Sequence, residues 1–308
     1  MKALVIFSSD VLGMPAIIQL HQQNKLHGVA VPDKVKHILV PTLKQFGIAD
    51  ANIHILTKTN LANELKTLIK QYDAQMLLTL TFGWMIPAEI LTLLPNRCIN
   101  FHFGLLPKYK GADPIFWQLF NTEKTGGLTV HVMTEVVDEG PVIMMQEMSI
   151  MPGETYGLHC QRLGQLAAQC VIPVTDMQVP VAPQATITDN KPALYFKKPD
   201  ISQLTINWQQ YTAQQIEALV NATNPRYGGA NTSIRQMEVR ILEVSPVDIT
   251  NPNPVIPGTI VYADATYGLI VACLNLQYLK INIVSIREGY ISGIKLFALG
   301  FRVGEVFE

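Results

Sequence analysis

An asparagine and a histidine two residues apart are the side chains whose types and spacing most directly suggest chemistry. Residues 97–102 read RCINFH, and the next five residues, FGLLP, end this strand-like run in a turn. The spacing places the side chains of Asn100 and His102 on the same face of a strand. A carboxamide can donate to a developing oxyanion, and an imidazole can also donate or carry a proton. The alternative is that Asn100 caps the turn and that His102 is a histidine with satisfied hydrogen bonds.

An aspartate follows the next predicted strand, residues 127–133. Asp138 lies in the loop after that strand, and Gly140 allows the loop a tight or positive-φ conformation. In open parallel sheets, ligands bind outside the carboxyl ends of the strands. We therefore expect the side chains of Asn100, His102 and Asp138 to converge at such an end.

These three side chains suit acyl transfer without a covalent enzyme intermediate. Asn100 would donate to the oxyanion, and His102 would donate as well or move a proton. Asp138 would set the protonation of His102 and accept a proton from the nucleophile. No serine or cysteine nucleophile is suitably placed, because the turn position that could hold a serine is Gly104.

Strands alternate with helices in the first part of the chain, which predicts an α/β fold with a doubly wound, mostly parallel, Rossmann-like sheet. The predicted strands are residues 2–7, 27–32, 52–56, 74–81, 97–102 and 127–133. The predicted helices are residues 14–23, 40–47, 61–72, 87–95 and 155–178, and residues 142–151 are predicted to form a hairpin arm.

The pattern changes after about residue 178. We predict a catalytic domain over residues 1–180, a linker over 181–203 rich in proline, threonine and aspartate, and a second domain over 204–308. One short helix and several short strands separated by turns predict that the second domain is a small antiparallel β-barrel of the oligonucleotide-binding (OB) type.

Composition and charge narrow the classes of function. Of the 308 residues, 48% are hydrophobic, which excludes a disordered chain. No apolar run reaches the ~20 residues that span a bilayer, and the first residues lack the pattern of a signal peptide, so we expect a cytoplasmic protein. The four cysteines form no metal-binding or disulfide pattern. Residues 1–188 carry 13 basic and 14 acidic side chains, and residues 189–308 carry 10 of each, so nucleic acid is an unlikely partner.

The chain resembles the 10-formyltetrahydrofolate-dependent formyltransferases. The resemblance rests on N-x-H followed by LLP, a T-x-H strand and D-x-G, and it extends over nearly the whole chain. Residues 78–91, LTLTFGWMIPAEIL, resemble the folate-pocket segment, and residues 197–234 resemble the second domain of methionyl-tRNA formyltransferases.

The resemblance implies a role for each motif residue. Asn100 would orient and polarise the formyl carbonyl, His102 would stabilise the oxyanion, and Asp138 would assist proton transfer. The cosubstrate would be 10-formyltetrahydrofolate, and no metal is implied. Its pterin would contact Phe82, Gly83, Trp84, Met85, Ile86, Glu139 and Gly140.

The identity of the acceptor amine depends on departures from the family pattern. The family usually has serine where this chain has Gly104. Methionyl-tRNA formyltransferases carry a long basic insertion after the second strand, whereas residues 29–45 here contain only Lys34 and Lys36 outside the predicted helix that follows. The sequence therefore favours a small-molecule amine, such as an amino-sugar nucleotide or an amino-acid derivative. The residues expected to contact this substrate are Gly104, Leu105, Lys108 and Lys110.

Alternatives remain open at this point. A methionyl-tRNA formyltransferase without the insertion and a formyltetrahydrofolate hydrolase would use the same three side chains. Lys108 and Lys110 would contact a phosphate or carboxylate, or lie in a solvated loop. His131, inside an apolar strand, is more consistent with core or support than with catalysis, and Glu139 is expected to face solvent. The second domain would shape the substrate site or form a homodimer. A nicotinamide dehydrogenase is excluded because no G-x-G-x-x-G follows the first strand.

Overall fold

A computed structural model describes residues 1–177, 195–250 and 254–308. These residues form two compact units. The first contains Met1–Pro114, Thr125–Ser149 and Cys160–Phe196, and the second contains Ile115–Lys124, Ile150–His159 and Lys197–Glu308. The domain boundaries at 180 and 203 stay predictions, and the predicted linker lies outside the described residues as far as residue 194.

The first unit is built on a seven-stranded sheet, which confirms the predicted α/β class. Its strands are β1 (Ala3–Phe7), β2 (Leu26–Pro32), β3 (Ile53–Leu56), β4 (Met76–Leu80), β5 (Cys98–His102), β7 (Thr125–Val132) and β8 (Val142–Ser149). They lie in the order β3-β2-β1-β4-β5-β7-β8. The first five are mutually parallel, but β7 runs antiparallel to β5 and β8 antiparallel to β7. The predicted hairpin arm, residues 142–151, is thus largely the edge strand of this sheet.

Apolar periodicity explains how α3 packs on the sheet. The helices of the described residues are α1 (Asp10–Gln22), α2 (Lys36–Gln45), α3 (Leu61–Tyr72), α4 (Ala88–Leu93), α5 (Pro114–Phe120), α6 (Tyr156–Asp176), and, in the second unit, α7 (Ala213–Thr223) and α8 (Gly293–Ala298). In α3, Leu61, Leu65, Leu68 and Ile69 are buried, and this spacing forms a single apolar stripe. The stripe packs in a hydrophobic cluster with Leu4, Ile6 and Leu77 of the central strands. Among the described residues, no helix is long and apolar enough to cross a bilayer.

Two very short strands complete the first unit. β6 (Lys110–Gly111) pairs in parallel with β9 (Tyr195–Phe196), which follows the undescribed residues 178–194. This pair joins the turn after β5 to a segment more than eighty residues later in the chain.

The second unit contains an antiparallel sheet of six strands. They are β10 (Ala230–Ile234), β11 (Met237–Val247), β12 (Ile260–Asp264), β13 (Gly268–Ala272), β14 (Tyr278–Ile286) and β15 (Gly289–Ser292). Their order is β10-β11-β14-β13-β12, with β15 also paired to β14. A capping box between Thr212 and Gln215 begins α7, whose buried face packs on β11. The antiparallel sheet agrees with the prediction, and the OB-like barrel stays a prediction.

Candidate active site

The sheet register places three polar side chains in a row across neighbouring strands. Asn100 of β5 pairs with Thr79 of β4 on one side and with His131 of β7 on the other. Residues directly opposite each other in adjacent strands point to the same face of a sheet. Thr79, Asn100 and His131 therefore share the face that also carries His102, two residues after Asn100.

Hydrogen bonds fix the orientation of the Asn100 carboxamide. The Nδ1 atom of His131 lies 2.9 Å from the carbonyl oxygen of Val132, which can only accept, so Nδ1 carries the ring proton. The other ring nitrogen, Nε2, then accepts from Nδ2 of Asn100, which lies 3.1 Å away. The hydroxyl of Thr79 donates to Oδ1 of Asn100 over 2.7 Å. One N–H of Asn100 is thus committed to His131, and the other can donate to a substrate oxygen.

Asp138 reaches this face from the hairpin loop between β7 and β8. Because β7 is antiparallel to β5, its end lies beside the start of β5, and the loop folds back over the sheet. The positive φ falls on Asp138, at 55°, and the φ of Gly140 is outside the left-handed region. Glycine is required at position 140 because the backbone passes close to β7, and a Cβ there would lie 1.7 Å from the carbonyl oxygen of Val132. The predicted tight conformation is present, but its strained residue is the aspartate itself.

The carboxylate of Asp138 is buried and contacts three groups. Its Oδ2 accepts a hydrogen bond from the backbone N–H of Gly111 over 2.8 Å and lies 3.5 Å from Nδ1 of His102. Its Oδ1 lies 3.4 Å from Nε2 of His131. The structure therefore brings Asn100, His102 and Asp138 together, with His131 between the first and the last.

The environment sets complementary protonation states. Burial lowers the pKa of His102, and the nearby Asp138 carboxylate only partly offsets this effect, so the ring is neutral at pH 7. Burial raises the pKa of Asp138, but the neighbouring imidazoles of His131 and His102 and the backbone N–H of Gly111 together lower it by more. The pKa of Asp138 therefore lies below its usual value, and the carboxylate is ionised.

The neutral His102 presents one defined nitrogen to the site. Its Nε2 lies 3.0 Å from the carbonyl oxygen of Tyr109, so Nε2 carries the proton and donates it there. The Nδ1 atom is left with a lone pair, beside the Asp138 carboxylate. A base next to a carboxylate can take up a proton and be stabilised as an imidazolium.

Gly104 and Leu105 lie in the turn that supports this ring. The carbonyl of Gly104 accepts a hydrogen bond from the hydroxyl of Thr129 over 2.6 Å, which fixes the turn on β7. A Cβ on Gly104 would lie 2.9 Å from Nε2 of His102 and 3.0 Å from Cβ of Pro114. Leu105 is half-buried in the same turn.

We predict that Gly104→Ser lowers kcat at least about tenfold, because the added Cβ displaces the imidazole from its position beside Asp138. Thermal unfolding of the variant separates loss of fold from loss of geometry. Steady-state kinetics measure kcat. A folded Gly104→Ser protein with wild-type kcat would show that the position of the His102 ring does not depend on the absence of a Cβ at residue 104.

Part of the predicted cosubstrate segment lines a cavity. Gly83, Trp84 and Met85, after β4, line a cavity of about 380 Å³ together with residues that follow β3, among them Lys58. The ring of Trp84 contacts that of Phe82 edge to face, with centroids 5.3 Å apart. The side chains of Phe82 and Ile86 pack against the hydrophobic cluster beneath. The segment therefore combines the exposed side chain of Met85 with partly buried side chains that attach it to the cluster.

Lys110 and Glu139 form an ion pair beside the candidate site. The ammonium group of Lys110 is buried and lies 2.9 Å from Oε1 of Glu139, whose side chain is 42% exposed. Lys108, also a predicted substrate contact, is exposed on the turn. The expectation that Glu139 faces solvent holds only in part, because its carboxylate is also held by Lys110.

The contacts of Gly111 and Tyr109 were not predicted from the sequence, whereas His131 was predicted to have a core or support role and does contact Asn100. The T-x-H pattern pointed to His131, and its pairing opposite Asn100 could have been found from the register of two adjacent strands. The N–H of Gly111 and the carbonyl of Tyr109 are backbone groups, which carry no signal in residue type. Across residues 1–177, 195–250 and 254–308, no cluster of three histidine, cysteine or acidic side chains is arranged to hold a metal ion.

Comparison with known proteins gives matches over both units. A family described as formyl transferase matches residues 1–175, and the formyl transferase C-terminal domain matches residues 201–302. The methionyl-tRNA formyltransferase of Acetivibrio thermocellus is 29% identical over 282 residues, 90% of this chain and 89% of that protein. That of Protochlamydia amoebophila is 29% identical over 318 residues, 98% of each chain.

Solved structures with the same fold are more distant in sequence. The N-formyltransferase of Helicobacter canadensis, solved with folinic acid and dTDP-3-aminofucose, has a TM-score of 0.58 and 18% identity, covering 91% of this chain and 98% of that one. HypX of Aquifex aeolicus, solved with tetrahydrofolic acid, has a TM-score of 0.66 and 14% identity over 99% of this chain. This chain spans about half the length of HypX, with 50% of it covered.

Proposed function

The chain belongs to the formyl transferase family, and we propose that it transfers the formyl group of 10-formyltetrahydrofolate to the amine of methionyl-tRNA. The observation that carries the reaction is the cluster of Asn100, His102 and Asp138. The neutral imidazole of His102 lies 3.5 Å from the ionised carboxylate of Asp138, and the oriented carboxamide of Asn100 is linked to that carboxylate through His131. This combination supports attack by an amine on a carbonyl without a covalent enzyme intermediate.

Each side chain has a distinct task in the proposed mechanism. The second N–H of Asn100 donates to the formyl oxygen and stabilises the negative charge that develops there. The Nδ1 atom of His102 accepts the proton of the attacking amine, because Nε2 is committed to the Tyr109 carbonyl. Asp138 stabilises the resulting imidazolium from 3.5 Å. As the C–N bond of the donor breaks and the carbonyl re-forms, the imidazolium returns this proton to the folate nitrogen, which leaves neutral. This differs from the resemblance, which implies that His102 stabilises the oxyanion directly.

The residues after β4 fit the proposed cosubstrate. 10-Formyltetrahydrofolate supplies a formyl group on a nitrogen that leaves when the amine attacks. A cavity of about 380 Å³ lined by Trp84 and Met85 lies within the size range of small-molecule sites. Aromatic and thioether side chains give favourable contact to a flat heterocycle. We propose that Trp84 and Met85 hold the folate while Asn100 orients its formyl group.

Trp84→Ala is expected to raise KM for 10-formyltetrahydrofolate about tenfold, because a large apolar contact to the folate is lost. Trp84→Phe keeps an aromatic surface and should remain close to the wild-type KM. Initial-rate kinetics at varied cosubstrate concentration measure both. Equal KM values for wild type and Trp84→Ala would contradict the placement of the folate against this side chain.

The relatives support methionyl-tRNA as the acceptor. Methionyl-tRNA formyltransferases match this chain over up to 98% of its length, and their similarity includes the C-terminal part. Among the comparisons, the small-molecule acceptor favoured by the sequence has weaker support, from a structural neighbour of 18% identity.

One structural observation keeps a small-molecule amine as the second candidate. β2 ends at Pro32 and is followed directly by a 3₁₀ helix over Asp33–Val35 and by α2. This connection leaves no room for a basic insertion, and the balanced charge of the chain gives little attraction for phosphates. A basic insertion and a positively charged surface would not be needed to bind an amino-sugar nucleotide or an amino-acid derivative.

A direct competition assay tests the acceptor. Purified protein, 10-formyltetrahydrofolate, initiator methionyl-tRNA and a panel of amino-sugar nucleotides and amino acids are combined, and formylated products are identified by mass. We expect formylmethionyl-tRNA. A formylated small amine as the main product would replace the proposed acceptor by the second candidate, and formate without any formylated amine would identify a hydrolase.

A further inference from the structure

The turn after β5 connects two of the reacting side chains through its backbone. The carbonyl of Tyr109 accepts a hydrogen bond from Nε2 of His102. The backbone N–H of Gly111, two residues later, donates to Oδ2 of Asp138 over 2.8 Å. The position of residues 109–111 therefore decides how the imidazole and the carboxylate face each other.

The two-residue strand β9 braces this turn from the other side. The carbonyl of Phe196 accepts a hydrogen bond from the N–H of Ala112 over 2.8 Å. The ring of Phe196 stacks on that of Tyr109, with centroids 5.0 Å apart. A Cβ on Gly111 would lie 2.5 Å from the Phe196 carbonyl oxygen, so the contact requires glycine. β9 thus fixes the backbone whose N–H holds Asp138.

The side chain of Tyr195, also in β9, contacts the loop that carries Asp138. Its hydroxyl lies 2.8 Å from Oε1 of Glu139 and 3.0 Å from the carbonyl oxygen of Val137. Both neighbours are acceptors, so the hydroxyl donates to residues on either side of Asp138 with its single proton. The ammonium of Lys110 completes the arrangement, since it contacts the same Oε1 and lies 5.6 Å from the centre of the Tyr195 ring.

We propose that Tyr195 is a positioning residue for formyl transfer, which fixes the loop over residues 137–140 so that the Asp138 carboxylate faces His102. The proposal rests on the proposed function for its catalytic consequence. The need for such a brace follows from the backbone of Asp138, whose φ of 55° is unfavourable for a residue with a Cβ and persists only when surrounding contacts hold it.

The hydroxyl of Tyr195 acts by donation alone. Burial raises the pKa of Tyr195 to about 12, and the hydrogen bond to Glu139 contributes to the rise. The group stays protonated throughout the range in which the protein would work. Tyr195→Phe therefore removes a constant contact and leaves the ring and the pairing of β9 with β6 in place.

Two measurements test the proposal in the intact chain. In Tyr195→Phe, kcat for formyl transfer should fall about tenfold while KM for the acceptor is unchanged, as expected for loss of one hydrogen bond that positions a reacting group. The amide exchange rate of Gly111, measured by NMR, should rise about tenfold, with amides of the central strands unaffected. A general loss of stability would instead speed exchange throughout the sheet.

Tyr262→Phe is the matched control. The hydroxyl of Tyr262 donates to Oδ2 of Asp264 over 2.7 Å in the second unit, so it removes the same kind of contact elsewhere. Its kcat and Gly111 exchange should equal those of the wild type. A double-mutant cycle of Tyr195→Phe and Glu139→Gln adds a second check. If the double variant has the same kcat as Tyr195→Phe alone, Tyr195 and Glu139 act through their mutual hydrogen bond.

The outcomes separate this proposal from the proposed function. Tyr195→Phe with wild-type kcat, or with wild-type exchange at Gly111, overturns the positioning role. The positioning role is also overturned if the fall in kcat of the Tyr195→Phe, Glu139→Gln double variant equals the product of the falls in the two single variants. If the wild-type protein transfers no formyl group, the proposed function fails, and the exchange rate of Gly111 still decides whether Tyr195 holds the loop.

Discussion

Asn100→Ala is expected to lower kcat for formyl transfer by about 10²–10³, the usual cost of removing one donor to a developing oxyanion. The carboxamide is oriented on both sides, by the hydroxyl of Thr79 at 2.7 Å and by Nε2 of His131 at 3.1 Å. The loss should therefore fall on kcat, with KM for the acceptor nearly unchanged.

The fold should survive this substitution. Asn100 is half-buried, and the two hydrogen bonds it makes within the row are worth about 1 kcal/mol each. Asn282→Ala is the matched control, because Asn282 also donates from its carboxamide to neighbouring side chains, Ser245 at 2.8 Å and Glu243 at 3.3 Å, but in the second unit. Near-wild-type kcat in a folded Asn100→Ala protein would refute its role as the oxyanion donor.

Asp138→Asn is expected to lower kcat by about 10²–10⁴, the range typical of lost acid–base assistance. The carboxamide has the shape of the carboxylate but no charge to stabilise a protonated His102. In addition, the NH2 group of the asparagine replaces one of the two carboxylate oxygens that now contact Gly111, His102 and His131. Discontinuous assays of product formation measure the loss, and a folded variant with wild-type kcat would exclude stabilisation of a protonated His102 by Asp138.

The pH dependence of Asp138→Asn follows from the sign of the interaction. Asp138 raises the pKa of His102 against the larger lowering by burial. Removing the charge should therefore move the pKa of His102 further down, and the acid limb of the residual kcat/KM profile should shift to lower pH. Asp264→Asn is the control, since Asp264 also accepts backbone N–H bonds, from Thr266 and Tyr267, without contact to a histidine. An acid limb displaced to higher pH would contradict the assigned direction.

Residue type and local spacing were sufficient to predict the parts of the site that lie on one strand. The i, i+2 spacing of Asn100 and His102 determines that they share a face, whatever the sheet topology is. The apolar runs predicted β1 to β5, of which β1, β4 and β5 are almost wholly buried and β3, at the edge of the sheet, is partly exposed. By contrast β10, with the sequence ANTSI, and β15, GYIS, lack a clear apolar pattern, so β10 was not predicted as a strand and the residues of β15 were predicted to form a turn.

The prediction that Asp138 lies close to Asn100 and His102 was correct, but the reason given for it was wrong. We expected the end of a neighbouring strand to lie at the same edge of a parallel sheet. Instead β7 is antiparallel to β5, and the loop returns over the sheet face, held by Gly111 and by the close approach of Gly140 to Val132. Strand direction depends on the packing of segments distant in sequence, which hydrophobic periodicity does not encode.

Contacts between segments far apart in the chain account for what could not be predicted. Lys110 was expected at the rim of the substrate site, yet it is buried against Glu139 and Tyr195, the latter 85 residues later in the chain. The role of Lys110 as a substrate contact stays a prediction. The acceptor amine could not be predicted from the three reacting groups, because they contact the formyl carbon and the attacking nitrogen and not the rest of the acceptor.

The stoichiometry of a single turnover tests the central claim most directly. Excess enzyme is mixed with 10-formyltetrahydrofolate and methionyl-tRNA, and tetrahydrofolate and the formylated amine are both measured over time. We expect the two products to form at the same rate and in equal amounts, with neither formed by the Asn100→Ala, Asp138→Asn double variant. Release of tetrahydrofolate with no formylated amine, or equal turnover by the double variant, would contradict formyl transfer by this site.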